Sequence, residues 1–486
     1  MNLRKIGVAI AALAVAFGAP LAQAQGISLL RDAEIEEFLD DYSRPIFRAA
    51  GLNEDSIQIL LVGDQTLNAF AGGRYMGVNS GLLTIAETPN QIEGVIAHEA
   101  GHLAGGHSVR TDAAIAAATR PMLLSLVLAA GAVAAGAPEA GIGILGLGQN
   151  IGMANFLKYS RGQESTADQS SITYLNSIGH SSKGATELWR NVRNQQIIRG
   201  RRINPYMQTH PLANDRLTAL QKRAQESPYY DVEDSPEEIE RLHFIQAKIR
   251  GFMNEPNATL RYYPLSDQSE PAHYARAVAY YRTSQVDKAL VEIRTLTEAR
   301  PDNPYFHELE GQMLFEFGKV KEAIAPHEIA IALKSDNALI RIGLGRALNA
   351  MEDPAAFEEA VTQFKRALFL EPDNSFGWFE LARAYSGLGN DVMANLATAE
   401  SRYHAGAKPD ANVFARRAMT GLRRGTSEWR QAADIVLATQ PATGGAPLPS
   451  GVEDSPPVQR APDAKPKRQD VPDPIVPGKD ATEDNT

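Results

Sequence analysis

His98 and His102 stand four residues apart, with Glu99 beside the first, in the run His98-Glu99-Ala100-Gly101-His102. On a helix, positions i and i+4 stack on one face. Two ring nitrogens so placed can reach one metal ion at about 2.0–2.1 Å. Glu99 is then aimed at the ion's open position, where it can take a proton from water and pass it to a leaving amine. A zinc ion lowers the pKa of its water towards neutrality and polarises a scissile carbonyl, so no covalent nucleophile is required. A chance H-E-x-x-H should arise in roughly one chain in a hundred of this length. The preceding segment, Asn90 to Ala97, is a plausible helix start whose Ile92, Val95 and Ile96 suit a core-facing side.

A zinc peptidase needs a third protein ligand. His107 is the nearest histidine, but a repeat of the spacing through Gly105 would require histidine where Ser108 stands. A slip of one residue rotates a helix position by about 100°, which disfavours His107 as a ligand. Glu164 is the better candidate. It lies in the segment from Ser160 to Asp168, which ends a glycine-rich run and is expected to open a helix. Glu164 and Asp168 share one helical face. One carboxylate can bind the ion while the other orients a ligating imidazole. On the segment alone, an ordinary solvated face stays open. His210, in Thr209-His210-Pro211, reads by itself as a structural histidine before a turn.

These residues need a framework. Ile57 to Val62 reads as a strand, and Arg74 to Asn79 as a second strand after the Gly72-Gly73 turn. Helix dominates from Asn90 onward. The fold class is α+β and mostly helical: a zincin-type metalloprotease domain over residues 27–255, then an α-solenoid over 268–437. In the second zone Ala289, Ala323, Ala360 and Ala394 recur at spacings of 34, 37 and 34, and Gly311, Gly345 and Ala382 follow with the same insertion. A period of about 34 residues with small residues at fixed positions is the tetratricopeptide signature. About four units fit in 271–405, with helix to about 437 as a cap.

Two uncharged runs, Met122 to Ala137 and Ala140 to Leu157, interrupt the first zone. The first is short of the ~20 residues that a bilayer core needs, and the second carries Gln149, Asn150 and Asn155. The preferred reading is a buried or lid-like helical hairpin over the active site; shallow contact with a membrane surface is the alternative. Residues 1–24 carry Arg4 and Lys5, an apolar stretch and Ala22-Gln23-Ala24, which reads as a secretory signal peptide. From Gln440 to the end the chain holds ten prolines and no aromatic residue, the composition of a disordered tail. A net charge of −10 and the lack of a long basic stripe argue against nucleic-acid binding. With no cysteine, disulfides, thiol catalysis and thiolate metal ligation are excluded.

The ordered set of His98-Glu99-Ala100-Gly101-His102 with His107, Ser160-Arg161 with Glu164 and Ala167-Asp168, and Thr209-His210-Pro211 with Arg216 resembles the HtpX/CAAX-prenyl-protease-like gluzincin family. Asn68-Ala69-Phe70-Ala71 and Gly77-Val78-Asn79 with Gly81-Leu82-Leu83 are similar to that family's region upstream of the zinc helix. The resemblance covers roughly residues 57–220. It implies one zinc ion held by His98, His102 and Glu164, with Glu99 as general base and Asp168 behind the ligands. It places His210 near the metal, as an oxyanion stabiliser or a latent fourth ligand. Gly81, Leu82 and Leu83 follow a strand that is expected to pair with an extended substrate. With the signal peptide and the repeats, the whole is similar to the periplasmic branch of the family that acts on outer-membrane proteins. The implied partners are unfolded or misassembled outer-membrane β-barrel proteins and, through the repeats, their assembly machinery. Peripheral membrane contact joins them as the alternative role of the apolar hairpin. The rival reading is an assembly chaperone or adaptor in which proteolysis is latent or secondary.

Overall fold

The computed structural model describes residues 28–107, 119, 122–129, 138–199, 210, 214–440 and 449. The expected signal segment, nearly all of the expected tail and much of the first uncharged run lie outside them. The chain divides into two compact units, one reaching Gly389 and one starting at Asn390.

The first unit opens with strand β1 (Leu29–Leu30) and helix α1 (Ala33–Ala49). Asp32 caps α1 by accepting the backbone N–H groups of Glu34 and Ile35. Phe38, Leu39, Tyr42 and Ile46 recur at three- and four-residue spacing and are buried. Strands β2 (Gln58–Val62), β3 (Ala69–Gly72) and β4 (Tyr75–Asn79) complete a four-stranded sheet in the order β1-β2-β4-β3. β2 and β4 are parallel, with Leu60 opposite Gly77; β3 and β4 are antiparallel, with Phe70 opposite Gly77. A Cβ on Gly77 would fall 2.2 Å from the Phe70 ring, which lies over the bare backbone there. The sequence expectation for β4 needs correcting. It is paired on both sides, so it has no free edge to offer an extended substrate; the edge strands are β1 and β3.

β4 leads into α2 (Ser80–Ile85) and α3 (Pro89–Ala104), the helix that carries both motif histidines. A short helix at 122–129 (α4) follows, and then α5 (Pro138–Ser177), 40 residues long. This corrects two readings. The segment around Glu164 does not open a helix: one continuous helix runs through the glycine-rich run, since each interior glycine costs only about 1 kcal/mol against alanine. Nor is the apolar run buried at 122–129, where six large side chains from Met122 to Leu128 are 41–67% exposed and only Ser125 and Ala129 are buried. Helices α6 (Lys183–Arg199), α7 (Asn214–Gln225), α8 (Pro236–Met253) and α9 (Pro256–Tyr262) follow.

From Glu270 the chain is a succession of helices. α10 (Glu270–Arg282), α11 (Val286–Ala299), α12 (Pro304–Glu316), α13 (Val320–Leu333), α14 (Ala338–Asn349), α15 (Pro354–Leu370) and α16 (Ser375–Gly387) belong to the first unit. The recurring small residues are packing positions. Ala289, Ala323 and Ala360 are fully buried, and a Cβ on Gly345 would meet the Phe364 ring at 2.5 Å. The second unit contains α17 (Asp391–His404), α18 (Lys408–Gly421) and α19 (Ser427–Thr439), packed around Leu396, Met419 and Val436.

Candidate metal centre

α3 and α5 build the site between them. Gly101 makes this possible: its position would put a Cβ 2.9 Å from the Ala167 Cα, so only glycine lets the two backbones come this close. Gly94 does the same against Ala185 at the start of α6. These contacts bring the carboxylates of α5 under the histidines of α3. His98, Glu99, Glu164, Asp168 and His210 are all buried, and His102 is half-buried.

His98, His102, Glu164 and His210 each offer one ligand atom, and the four atoms lie within 4.8 Å of one another. The Nε2 atoms of His98 and His102 are 3.1 Å apart. Glu164 Oε2 is 3.5 Å from the former and Glu164 Oε1 is 3.4 Å from the latter. A tetrahedral ion with bonds of 2.0–2.1 Å has ligand atoms about 3.3 Å apart. The three donors therefore already stand at the edge length of such a tetrahedron, and the donor set of two imidazoles and a carboxylate fits a divalent ion.

The other nitrogens of the two histidines are fixed from behind. His98 Nδ1 is 3.0 Å from Asp168 Oδ1, and His102 Nδ1 is 2.9 Å from His107 Nδ1. Both rings thus turn Nε2 towards the ion position, the arrangement that orients ligating histidines elsewhere. Arg216 on α7 donates Nε to Asp168 Oδ2 at 2.5 Å and lies 2.8 Å through Nη1 from Glu164 Oε2. His210 Nδ1 is 3.1 Å from Glu164 Oε1, and its Nε2 is 3.5 Å from Glu99 Oε1.

The electrostatics follow from this crowding. Burial pulls the His98 imidazole down, but Asp168 and Glu164 outweigh it and push it up to about 9. His102 falls to about 3, from burial and then from the charge on His98. Burial would raise Glu164, yet hydrogen bonds from His210 and His98 hold it well below the carboxylate range. Asp168 is likewise held down, against its burial, by His98 and Arg216. A charged carboxylate beside one neutral imidazole is the state a cation needs.

Glu99, His98, His102, Glu164, Asp168 and His210 lie together in one cluster, all of them buried except the half-buried His102. His107 is not among the grouped donors, but it is the hydrogen-bond partner of a residue that is. Arg216 was visible only as part of a motif; its pairing with both α5 carboxylates is a tertiary fact that no local spacing announces.

Residues 30–224 match the family described as Peptidase family M48, and residues 274–338 match a tetratricopeptide repeat. Residues 30–224 form an M48 peptidase domain, and the chain is a metalloprotease with tetratricopeptide repeats. The M48 domain and repeats together are similar to the putative beta-barrel assembly-enhancing protease of Vibrio cholerae serotype O1, 24% identical over 76% of this chain and 77% of the relative. The beta-barrel assembly-enhancing protease of Escherichia coli (strain K12) is 25% identical over 78% of this chain and 77% of its own. Among solved structures, one titled "MamA MSR-1 C2" is 20% identical, covers 34% of this chain and 93% of its own, and has a TM-score of 0.30.

Proposed function

We propose that this M48 protease is a periplasmic zinc endopeptidase that cleaves unfolded or stalled outer-membrane β-barrel proteins and assists their assembly. The observation that carries the chemistry is the tetrahedral spacing of His98, His102 and Glu164 with Glu99 alongside. The names of the relatives support the substrate class. In this reading the peptidase domain spans residues 27–255, the repeats 268–437, and segment 1–24 directs export.

A zinc ion held by His98, His102 and Glu164 would supply Lewis acidity to the scissile carbonyl and acidify a water molecule. Glu99 would serve as the general base that accepts a proton from water and returns it to the leaving amine. Asp168 and His107 hold the ligand rings in place, and Arg216 fixes the two carboxylates of α5 against each other. His210 spans Glu164 and Glu99, where it can either donate to the oxyanion of the tetrahedral intermediate or occupy the open position at rest.

Glu99→Gln should lower cleavage of an unfolded β-barrel protein by about 10²–10⁴-fold while the zinc content stays at one per chain. Full activity in that variant would end the mechanism. The placement of His210 favours a second reading, in which proteolysis is latent and the repeats act as an assembly adaptor. His210→Ala should then raise basal cleavage; loss of cleavage would instead assign His210 to the oxyanion. A Glu99→Gln chain that restores outer-membrane integrity would favour the adaptor.

Peripheral membrane contact is proposed for α4. Its exposed aliphatic side chains cover most of the helix circumference, and a convex apolar arc suits fluid acyl chains better than a protein groove. Among the described residues no helix is long and apolar enough to cross a membrane. Double substitution Leu124→Asp and Val127→Asp should abolish co-sedimentation with liposomes; unchanged co-sedimentation would remove α4 from membrane contact.

A further inference from the structure

A cavity of about 470 Å³ lies where the peptidase domain meets the first faces of α12, α14 and α16. Phe252 of α8, Phe315 of α12 and Phe376 of α16 line it, with Arg346 and Gly343 of α14 and the His327 ring of α13. Two features of its polar groups ask for a ligand.

The first is Arg346. Its guanidinium lies over the Phe315 ring at 4.9 Å and over the Phe376 ring at 5.5 Å. Among the described residues no carboxylate pairs with it. The adjacent Glu316 carboxylate already accepts the Tyr281 hydroxyl. A guanidinium flanked by aromatic rings, partly desolvated and without a counter-ion, is a ready receptor for an anion. The second is His327, which is 2% exposed and whose Nδ1 has no hydrogen-bond partner. Its ring is clasped between Gly311 and Gly343, where a Cβ would fall 2.8 and 2.9 Å from it. Burial, then the charge of Arg346, lowers it to about 4, so at neutral pH it offers a neutral polar group to the cavity.

The other end of the cavity is acidic. Asp32, the N-cap of α1, and Glu308 of α12 line it there, with Glu308 two helical turns from Phe315. Arg31 lines it too, but its guanidinium is held by Glu36 and Glu371, and Lys248 holds Asp32, so among the described residues an incoming anion finds Arg346 as the unpaired cation. A monoanion on an apolar body balances the single guanidinium and fills the aromatic end. We infer that this cavity receives the C-terminal residue of a polypeptide: the free carboxylate on Arg346, an apolar side chain among Phe252, Phe315 and Phe376. Capture of a terminal carboxylate is a recurrent mode of peptide recognition. The cavity's size suits a short terminal segment and excludes a folded partner. Its position on the repeats leaves the peptidase centre free, so a client or partner could be held by its end while another stretch is cut.

The test is fluorescence polarisation on the full chain carrying Glu99→Gln, which keeps the probe intact. The probe is an N-terminally labelled nonapeptide ending in Leu-Val-Phe, prepared as the free acid and as the C-terminal amide. The acid should bind at least about tenfold tighter than the amide, the worth of one charge-assisted hydrogen bond. Arg346→Gln should erase that preference and Arg346→Lys restore part of it. Phe376→Ala, at a residue 47% exposed and outside the core, should weaken acid and amide alike. Equal affinity for the two peptides overturns the inference, as does a preference that survives Arg346→Gln. Displacement of the peptide by decanoate at equal potency overturns it too, assigning the cavity to free fatty acids. The readout requires neither zinc nor hydrolysis, so it stands or falls apart from the peptidase reading.

Discussion

Two buried clusters of charge in the first unit are built from similar parts and do opposite things. At the metal centre, Glu164, Asp168 and Glu99 gather around imidazoles, with Arg216 at the rear. At the seam between α1, α8 and the repeats, Asp32, Glu34 and Glu308 gather around Lys248, which is 2% exposed. Lys248 Nζ lies 2.8 Å from Asp32 and 3.1 Å from Glu34, and the Tyr274 hydroxyl donates to Glu34 at 2.7 Å. Burial works against the Lys248 charge, but Asp32 and its neighbours raise its pKa well above the ordinary value. The seam therefore carries its own cation. At the metal centre Arg216 pairs with Glu164 and Asp168 from the rear, while the Nε2 atoms of His98 and His102 and the Glu164 carboxylate stand at the edge length of a metal tetrahedron. A lysine enclosed by carboxylates makes structure; a carboxylate that shares an edge with two imidazole nitrogens makes a site.

The sharpest way to break this contrast is to take the internal cation away. Lys248→Met removes the cation between Asp32 and Glu34, leaving only neutral hydrogen-bond donors to them, and should cost about 3–5 kcal/mol of stability. Chemical denaturation measures it, and metal content should not change. A cost below about 1 kcal/mol would mean that Lys248 contributes no more than a surface pair. A smaller effect at the same seam comes from His327. Its folded pKa of about 4 lies below the ordinary 6.5, so the neutral ring is the stable form in the fold. Its contribution is complete above pH 6.5 and is lost as pH falls from 6.5 towards 4, a total of about 3 kcal/mol. His327→Gln should flatten the stability profile in that window. An unchanged profile would show that His327 does not govern it.

The two clusters also differ in how far the sequence discloses them. His98, Glu99 and His102 are legible because one turn of one helix holds all three, and helical spacing is a local rule. The repeats are legible because their small residues recur. Glu164 needed a family resemblance, because the 40-residue α5 hides its register in glycines that read as a break. β3 went unseen, being four residues of which one is glycine. Arg216 and the His102–His107 pair depend on where α7 and the end of α3 come to rest. The seam is less legible still: Tyr274 meets Glu34 across 240 positions, and a buried lysine looks in sequence like any solvated one.

Removing the metal should have the next largest effect, and only at one cluster. An ion present at 100 times its dissociation constant stabilises the fold by about 2.7 kcal/mol. Chelation should lower the melting temperature of the wild-type chain accordingly. In Lys248→Met the same decrement should be superimposed on the lower starting stability, since the two clusters share no residue and distant perturbations add. A chelation effect that vanishes in Lys248→Met would mean that the clusters are coupled and that the contrast between them is false.

The smallest expected effect tests what they do share. α8 carries Lys248 into the seam, and its Gln246 donates to the carbonyls of Leu83 and Ala86 at 3.0 and 2.7 Å, just ahead of the metal-binding helix. α8 itself begins in a capping box, in which Ser235 Oγ accepts the Glu238 N–H and the Glu238 carboxylate accepts the Ser235 N–H. Ser235→Ala should cost about 1 kcal/mol, the usual worth of an N-cap. Because the cap lies in neither cluster, the loss should be equal with metal bound and after chelation, and equal at pH 7.5 and pH 5. A loss that grows on chelation would instead place the start of α8 in the support of the metal centre, leaving Lys248 as the one element that belongs to the seam alone.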